Sequence, residues 1–96
     1  MPFVNFIARV FKAASVQRDA PASSGVYGLS NAGGWIYIGE TDNIRARLLA
    51  HLQENDPTLR DKKPTGFSFE LCHSQNRHAR QSQLIVELHP SCRAQN

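Results

Sequence analysis

A chain of 96 residues with 41% hydrophobic and 20% charged residues has the size and composition of one globular domain, which excludes a disordered tail. It has no apolar run long enough to span a membrane, and polar residues interrupt the first segment, so we expect neither a membrane anchor nor a secretory leader. The net charge of +3 fits a surface that binds polyanions but does not establish one.

The cysteines argue against a zinc or disulfide framework. Cys72 and Cys92 are the two cysteines, and they do not form a C-x-x-C pair. The four histidines are scattered, so metal-ligand spacing for zinc is not found. We therefore expect two reduced thiols in a cytoplasmic protein.

The first segment predicts an amphipathic helix over 3–16, because apolar residues recur there at helical spacing. These positions are Phe3, Ile7, Val10, Phe11 and Ala14. The polar stretch 17–24 contains a proline and predicts a linker. The expected organisation is an N-terminal helix and linker over 1–23, a domain over 24–92 and a tail over 93–96.

The next segment predicts a β-hairpin. Two short stretches rich in aromatic and β-branched residues, 24–30 and 35–39, flank the turn-forming sequence NAGG. A loop of three or five residues would place Tyr27 and Tyr37 on the same face of the hairpin, whereas a loop of four would place them on opposite faces. The sequence leaves both arrangements open.

A basic helix is predicted over 43–54. Thr41, Asp42 and Asn43 are candidate N-caps. Ile44, Leu48 and Leu52 then repeat at helical spacing. A charged loop with two prolines follows.

A strand over 67–73 is predicted from alternating apolar and polar residues. A last helix, capped by Ser74 or Asn76, ends at Pro90. The element order is α-β-β-α-β-α. This order predicts an α+β fold in which a small three-stranded antiparallel or mixed sheet carries flanking helices.

Several side chains could carry chemistry. Arg47 and His51 are neighbours on one helix face; a guanidinium matches phosphate oxygens and an imidazole can carry a proton near neutral pH. Without context, the pair is more typical of a solvated basic face than of a site, and Tyr27 and Tyr37 are more typical of half-buried packing residues. Gln81 shares the apolar stripe of the last helix, so it either lies at the boundary of the core or borders a cleft.

Together these residues resemble the GIY-YIG nuclease domain, which occurs in excision-repair nucleases, intron homing endonucleases and small stand-alone proteins. The resemblance covers about 24–90. Its pieces are Gly25-Val26-Tyr27, Tyr37-Ile38-Gly39, Asn43-Ile44-x-x-Arg47-Leu48-x-x-His51 and the last helix, RHARQSQLIVELHP. Val26 in place of isoleucine is the only departure in the first triplet.

The resemblance implies hydrolysis of DNA phosphodiester bonds. In the family a tyrosine acts as the general base or positions the attacking water, an arginine stabilises the developing charge on phosphorus, and one divalent cation is held by a single glutamate. The matching positions are Tyr27, Tyr37, Arg47 and His51 for catalysis, and Gly39, Arg45 and Arg77 for binding substrate. The implied cofactor is Mg²⁺ or Mn²⁺.

The metal position departs from the family pattern, because its glutamate falls on Gln81. A neutral amide keeps one acceptor oxygen but loses the charge that magnesium prefers. The glutamine is either an inactivating substitution made by design or a natural departure. The absence of the family's asparagine after Pro90, where Arg93 stands, favours the natural departure.

Two functions follow from these residues. The first is a GIY-YIG-type endonuclease acting on DNA, with activity weakened or abolished by Gln81. The second is a catalytically silent module of the same fold that binds DNA, or RNA, in the basic cleft. A weaker third possibility is an adaptor whose N-terminal helix covers a partner protein.

Overall fold

The computed structural model describes residues 8–54 and 57–92. Within them, an antiparallel sheet is flanked by helices. The elements in chain order are β1 Arg9–Val10, α1 Ala13–Asp19, β2 Gly25–Asn31, β3 Gly34–Thr41, α2 Ile44–Gln53, α3 Pro57–Lys62, β4 Gly66–Leu71 and α4 Ser74–Leu88. None of these helices is long and apolar enough to cross a bilayer.

The four strands lie in the order β1-β4-β2-β3, and all neighbouring pairs are antiparallel. Strand β2 is central and buries five of its seven residues, whereas β3 forms one edge. Because side chains alternate along a strand, β2 divides the interior in two. Tyr27 and Leu29 point to one face, and Val26 points to the other.

The larger core lies between the sheet and helices α1 and α2. Its buried members are Phe11, Val16, Ala20, Tyr27, Leu29, Ile36, Ile44, Leu48, Leu59, Phe67 and Cys92. Helix α4 covers the opposite face, where Leu84 packs against Val26 and Ile38. Both faces are therefore covered, and the sheet is a platform between two helical layers.

Positions 3–7 of the predicted helix over 3–16 lie outside the described residues. Of the rest, 8–12 are not helical, so the prediction is wrong there, whereas 13–16 are helical. Arg9 and Val10 are extended and pair with β4, and the Phe11 N–H donates to Thr65 O at 2.9 Å. The helix begins only at Ala13 and continues to Asp19, through part of the predicted linker. Pairing with the β4 edge satisfies backbone groups and lets Phe11 enter the core, so the sheet has four strands rather than three.

The hairpin turn is tighter than any loop considered from the sequence. Asn31 pairs with Gly34, and Ser30 pairs with Trp35. Continued regularly, this register would place the two tyrosines on opposite faces. A β-bulge intervenes, however, and Ile36 is the extra residue.

Beyond the bulge the register moves by one residue. Leu29 now pairs with Tyr37, and Tyr27 pairs with Gly39. Directly paired residues point to the same side of a sheet. The bulge therefore brings Tyr27 and Tyr37 together on the face that α2 covers.

The remaining elements largely match the sequence predictions. Helix α2 begins after Asn43 and α4 begins at Ser74, although His73 rather than Ser74 or Asn76 is its N-cap residue. A short helix, α3, lies in the predicted charged loop. Cys72 and Cys92 are free thiols, as expected.

Candidate active site

Tyr27, Tyr37 and His51 form an aromatic cluster between the sheet and α2. The Tyr27 hydroxyl lies 2.7 Å from His51 Nε2. The ring centroids of the two tyrosines are 6.0 Å apart, and that of His51 lies 5.5 Å from Tyr27 and 5.3 Å from Tyr37. The three side chains that the two triplets and the helix supply therefore converge on one point.

Gly39 makes room for this cluster. A Cβ at Gly39 would lie 2.5 Å from the Tyr27 hydroxyl and 2.5 Å from its Cζ, closer than van der Waals contact allows. The phenol of Tyr27 therefore lies directly over the opposing strand only because position 39 has no side chain. This gives a steric reason for the glycine of the second triplet.

Helix α2 is held at the angle that directs its basic residues toward the tyrosines. The Asn43 side chain accepts a hydrogen bond from the Ala46 N–H at 2.9 Å and so caps the first turn. Ile44 and Leu48 are fully buried against the sheet. With that stripe fixed, Arg47 and His51, four residues apart, adjoin the tyrosines, and the His51 side chain is only 3% exposed.

The buried phenol of Tyr27 strongly favours its neutral form. Burial raises its pKa well above the ordinary value of 10, and Tyr37 adds to this, whereas Arg47 acts in the opposite direction. Tyrosinate is therefore not accessible to Tyr27 near neutral pH. Tyr27 is fully buried, whereas Tyr37 is half-buried.

Arg47 is a positively charged residue beside the aromatic cluster. Burial alone would lower its pKa, but Tyr27 and Glu54 outweigh that effect and raise it, so the guanidinium stays charged. Its Nη1 lies 3.1 Å from Glu54 Oε2. A charged, partly exposed guanidinium beside two hydroxyls can bind a phosphate.

Glu54 is the site residue that sequence reasoning missed. Its other oxygen, Oε1, lies 3.3 Å from His51 Nδ1, which is an ion-pair distance. The signal was present, since Glu54 follows Arg47 by seven residues and His51 by three, the spacing of one helix face. It was overlooked because it lies one residue beyond the helix, which ends at Gln53.

Gln81 lies on the other side of the sheet from the tyrosines, on α4. Its Nε2 donates to the backbone carbonyl of Ile38, in the second triplet, at 3.3 Å. The amide thus reaches the edge strand that carries Tyr37 and Gly39. A carboxylate could not donate this hydrogen bond.

Glu40 and Glu70, on the face of the sheet that α4 covers, are each paired with basic side chains. Glu40 accepts from Arg77 Nε at 3.2 Å and is paired with His78 Nδ1 at 2.9 Å. Burial alone would raise the pKa of Glu40, but His78 and Arg77 outweigh it and lower the pKa below the ordinary value.

Glu70 is held by Arg80 in a two-pronged ion pair with distances of 2.9 and 3.0 Å. Among the described residues, groups of three or more His, Cys, Asp or Glu side chains that could hold a metal are not found. Gln81 supplies a neutral amide, and Glu40 and Glu70 are paired with basic side chains, so these residues do not fit a magnesium site built on a carboxylate at position 81.

The three residues predicted to bind substrate have different surroundings. Gly39 belongs to the tyrosine cluster. Arg45 donates from Nε to Ala20 O at 2.8 Å, which ties α2 to the end of α1. Arg77 is turned toward Glu40 and the Ser24 hydroxyl, with Nη1 3.2 Å from Ser24 Oγ.

Comparison with known proteins gives partial sequence matches and an extensive structural one. The chain matches no protein-family model. It is 40% identical over 52 residues, 54% of its length, to UvrABC system protein C of a Hydrogenobaculum species. That match spans only 9% of the relative's length.

The structural matches are to the GIY-YIG N-terminal endonuclease domain of UvrC from Thermotoga maritima. The magnesium-bound domain superposes with a TM-score of 0.67 at 22% sequence identity, covering 79% of this chain and 92% of that chain. A tyrosine-to-phenylalanine variant bound to its catalytic divalent cation gives a TM-score of 0.66 at 21% identity. The chain therefore has the fold of the GIY-YIG nuclease superfamily, in agreement with the motifs in its sequence.

Proposed function

We propose that this chain is a GIY-YIG-type endonuclease domain that acts on DNA phosphodiester bonds, with metal-dependent hydrolysis weakened or abolished by Gln81. The observation that carries the proposal is the 2.7 Å contact between the Tyr27 hydroxyl and His51 Nε2, with Tyr37 and Arg47 beside it. This arrangement supplies a path for a proton and a cation for a phosphate in one place.

The two tyrosines have different roles in this proposal. Tyr37 is half-buried, so an attacking water can approach its hydroxyl, whereas Tyr27 is fully buried behind it. A proton passes from water to Tyr37, from Tyr37 to Tyr27 and from Tyr27 to His51 Nε2. Each phenol accepts one proton as it releases another, so neither accumulates as tyrosinate.

Arg47 binds the phosphate in this proposal. Its guanidinium can donate to two phosphate oxygens, and the charge that develops on phosphorus strengthens those bonds in the transition state. Glu54 must share or release Arg47 when DNA binds, since it lies 3.1 Å from the guanidinium.

In this proposal Gln81 weakens the binding of the divalent cation. Mg²⁺ or Mn²⁺ is the expected cofactor when a glutamate occupies position 81. The test is cleavage of supercoiled plasmid DNA with either metal by the chain as it stands, by Gln81→Glu and by Gln81→Glu with Arg47→Ala. We expect Gln81→Glu to raise cleavage about 100-fold or more, because metal catalysis supplies several kcal/mol.

The matched control is Gln83→Glu, which makes the same chemical change two residues along α4 on an exposed side chain. It should leave cleavage unchanged. The endonuclease proposal would be wrong if Gln81→Glu cut no better than this control and Arg47→Ala had no effect.

A second function, a silent nucleic-acid-binding module, is favoured by the bond from Gln81 to the Ile38 carbonyl. There the amide serves the structure rather than a cation. Phosphate contacts predict that affinity falls as salt rises, with a slope reduced by about one when one contact is removed.

The binding test is a salt titration of short DNA and RNA duplexes with Arg47→Ala. Arg18→Ala is the control, since Arg18 is largely exposed and lies on α1. We expect Arg47→Ala to lower both affinity and slope more than Arg18→Ala does. Equal effects of the two variants, or failure to bind at low salt, would exclude the module.

A further inference from the structure

Glu54 faces two basic side chains, Arg47 and His51, with its two carboxylate oxygens. Oε2 lies 3.1 Å from Arg47 Nη1, and Oε1 lies 3.3 Å from His51 Nδ1. Glu54 is the C-cap residue of α2: its N–H donates to Ala50 O at 2.8 Å, while its own backbone is extended. The carboxylate is thus held at the end of the helix face that carries Arg47 and His51.

We infer that Glu54 is a positioning residue that keeps the His51 proton on Nδ1 and leaves Nε2 as the acceptor for the Tyr27 hydroxyl. This role rests on the proposed function, because it makes His51 the final acceptor of the proton path. Glu54 itself acts through His51 and does not touch the reacting atoms.

The chemistry of Glu54, His51 and Tyr27 favours one direction of proton donation along these contacts. An ionised carboxylate accepts but does not donate, so its oxygen at 3.3 Å favours a proton over a lone pair on the imidazole nitrogen that faces it. The other nitrogen, Nε2, then has its lone pair directed at Tyr27. The Tyr27 phenol is neutral and donates, which is the form that burial favours.

Burial makes the alternative tautomer costly. The His51 side chain is 3% exposed and Tyr27 is fully buried. With the proton on Nε2, the Nδ1 lone pair would face a carboxylate oxygen at 3.3 Å in surroundings where water cannot compensate. Glu54 is 39% exposed, so its charge is partly screened, but its position still selects the tautomer.

The same contact stabilises the state formed when the proton moves. When His51 receives the Tyr27 proton on Nε2, both ring nitrogens carry protons and the imidazolium faces Glu54. The carboxylate then holds a cation on each oxygen, His51 on one and Arg47 on the other. A simple surface ion pair between Glu54 and Arg47 would predict none of these effects on His51.

The first test is nitrogen NMR of the histidine rings in the full chain at neutral pH, without DNA or metal. We expect the His51 proton on Nδ1 in the chain as it stands and in Glu54→Gln, whose amide oxygen can still accept. Glu54→Ala should lose this preference. The control is Glu87→Gln, which removes one negative charge from α4, on the opposite side of the sheet.

An Nε2-protonated His51 in the unaltered chain would overturn the inference, as would ring signals in Glu54→Ala identical to those of Glu87→Gln. Because this readout needs neither cleavage nor DNA, it stands or falls separately from the endonuclease proposal.

The second test adds Glu54→Ala to the Gln81→Glu chain. We expect kcat to fall about 10-fold or more with a smaller change in KM, because a histidine in the wrong tautomer cannot accept the proton. Partial recovery in Glu54→Gln would support positioning through the acceptor oxygen. A rise in kcat, or an effect on KM alone, would contradict it.

Discussion

The two faces of the sheet differ in the polar side chains that they carry and in how those side chains are paired. On the α2 face, Tyr27 and His51 are in direct contact, with Tyr37 and Arg47 beside them. On the α4 face, Gln81 bonds to a backbone carbonyl and Glu40 is paired with Arg77 and His78. The hydroxyl, imidazole and guanidinium groups are therefore gathered on one face, whereas position 81 on the other face carries an amide rather than a carboxylate.

The two faces draw their side chains from different parts of the fold. Different helices supply them, and the sheet separates them. A link between the two faces in the described residues is the bond from Gln81 to the Ile38 carbonyl, in the strand that carries Tyr37. A shared fold establishes the platform, whereas activity depends on the individual side chains that the platform presents.

The largest effect should come from breaking the α2 face at its tightest point. Gly39→Ala places a methyl group against the Tyr27 hydroxyl, and overpacking of this kind typically costs about 1–3 kcal/mol of unfolding free energy. Urea unfolding measures it. Gly33→Ala is the control, since a Cβ there meets only the Asn31 side-chain oxygen at 3.3 Å. Equal losses in the two variants would mean that the phenol is not held against the strand.

Alkaline pH should affect the α2 face next most strongly. The folded-state pKa of Tyr27 is raised above its unfolded value of 10, so its stabilising contribution is complete below pH 10 and is lost as pH rises beyond it. The slope is about 1.4 kcal/mol per pH unit for one proton.

Urea unfolding of the unaltered chain and Tyr27→Phe between about pH 9 and about pH 11.5 tests this dependence. We expect the unaltered chain to lose its advantage over the variant as pH rises. Parallel curves for the two proteins would show that the Tyr27 phenol is not desolvated.

The smallest effect should come from adding a carboxylate to the α4 face at position 81. With Gln81→Glu, magnesium at about five times its dissociation constant should stabilise the fold by about 1 kcal/mol. The unaltered chain should gain nothing comparable. Thermal unfolding with magnesium, and with potassium chloride of equal ionic strength, measures the difference. A magnesium effect of equal size in both proteins would place the cation somewhere other than position 81.

The sequence predicted the strands and the two longer helices because their signals are local. Asn43 caps α2, and the buried Ile44 and Leu48 recur at helical spacing. The N-terminal strand was not predicted, because the strand that it pairs with lies far away in the sequence. Val10 is extended because it pairs with Gly66 of β4, while the apolar spacing around it equally suits a helix.

The sequence identified individual residues of the candidate site but did not show how they are arranged. Tyr27, Tyr37, Arg47 and His51 converge as the motif suggested, yet the facing of the tyrosines depends on a bulge at Ile36 that turn composition does not reveal. Glu54 could have been found by extending the helix face past its last hydrogen-bonded turn. The pairing of Arg77 with Glu40 could not, because it joins residues 37 positions apart.

The contacts along the outer edge of β3 have a consequence for assembly. The N–H groups of Ser91 and Cys92 donate to Trp35 O at 3.1 Å and Ile36 O at 2.7 Å, and the Gln81 amide donates to Ile38 O. An open strand edge invites pairing with another chain and aggregation. These donors occupy three of its carbonyls, so Gln81 also helps to keep neighbouring molecules from extending the sheet.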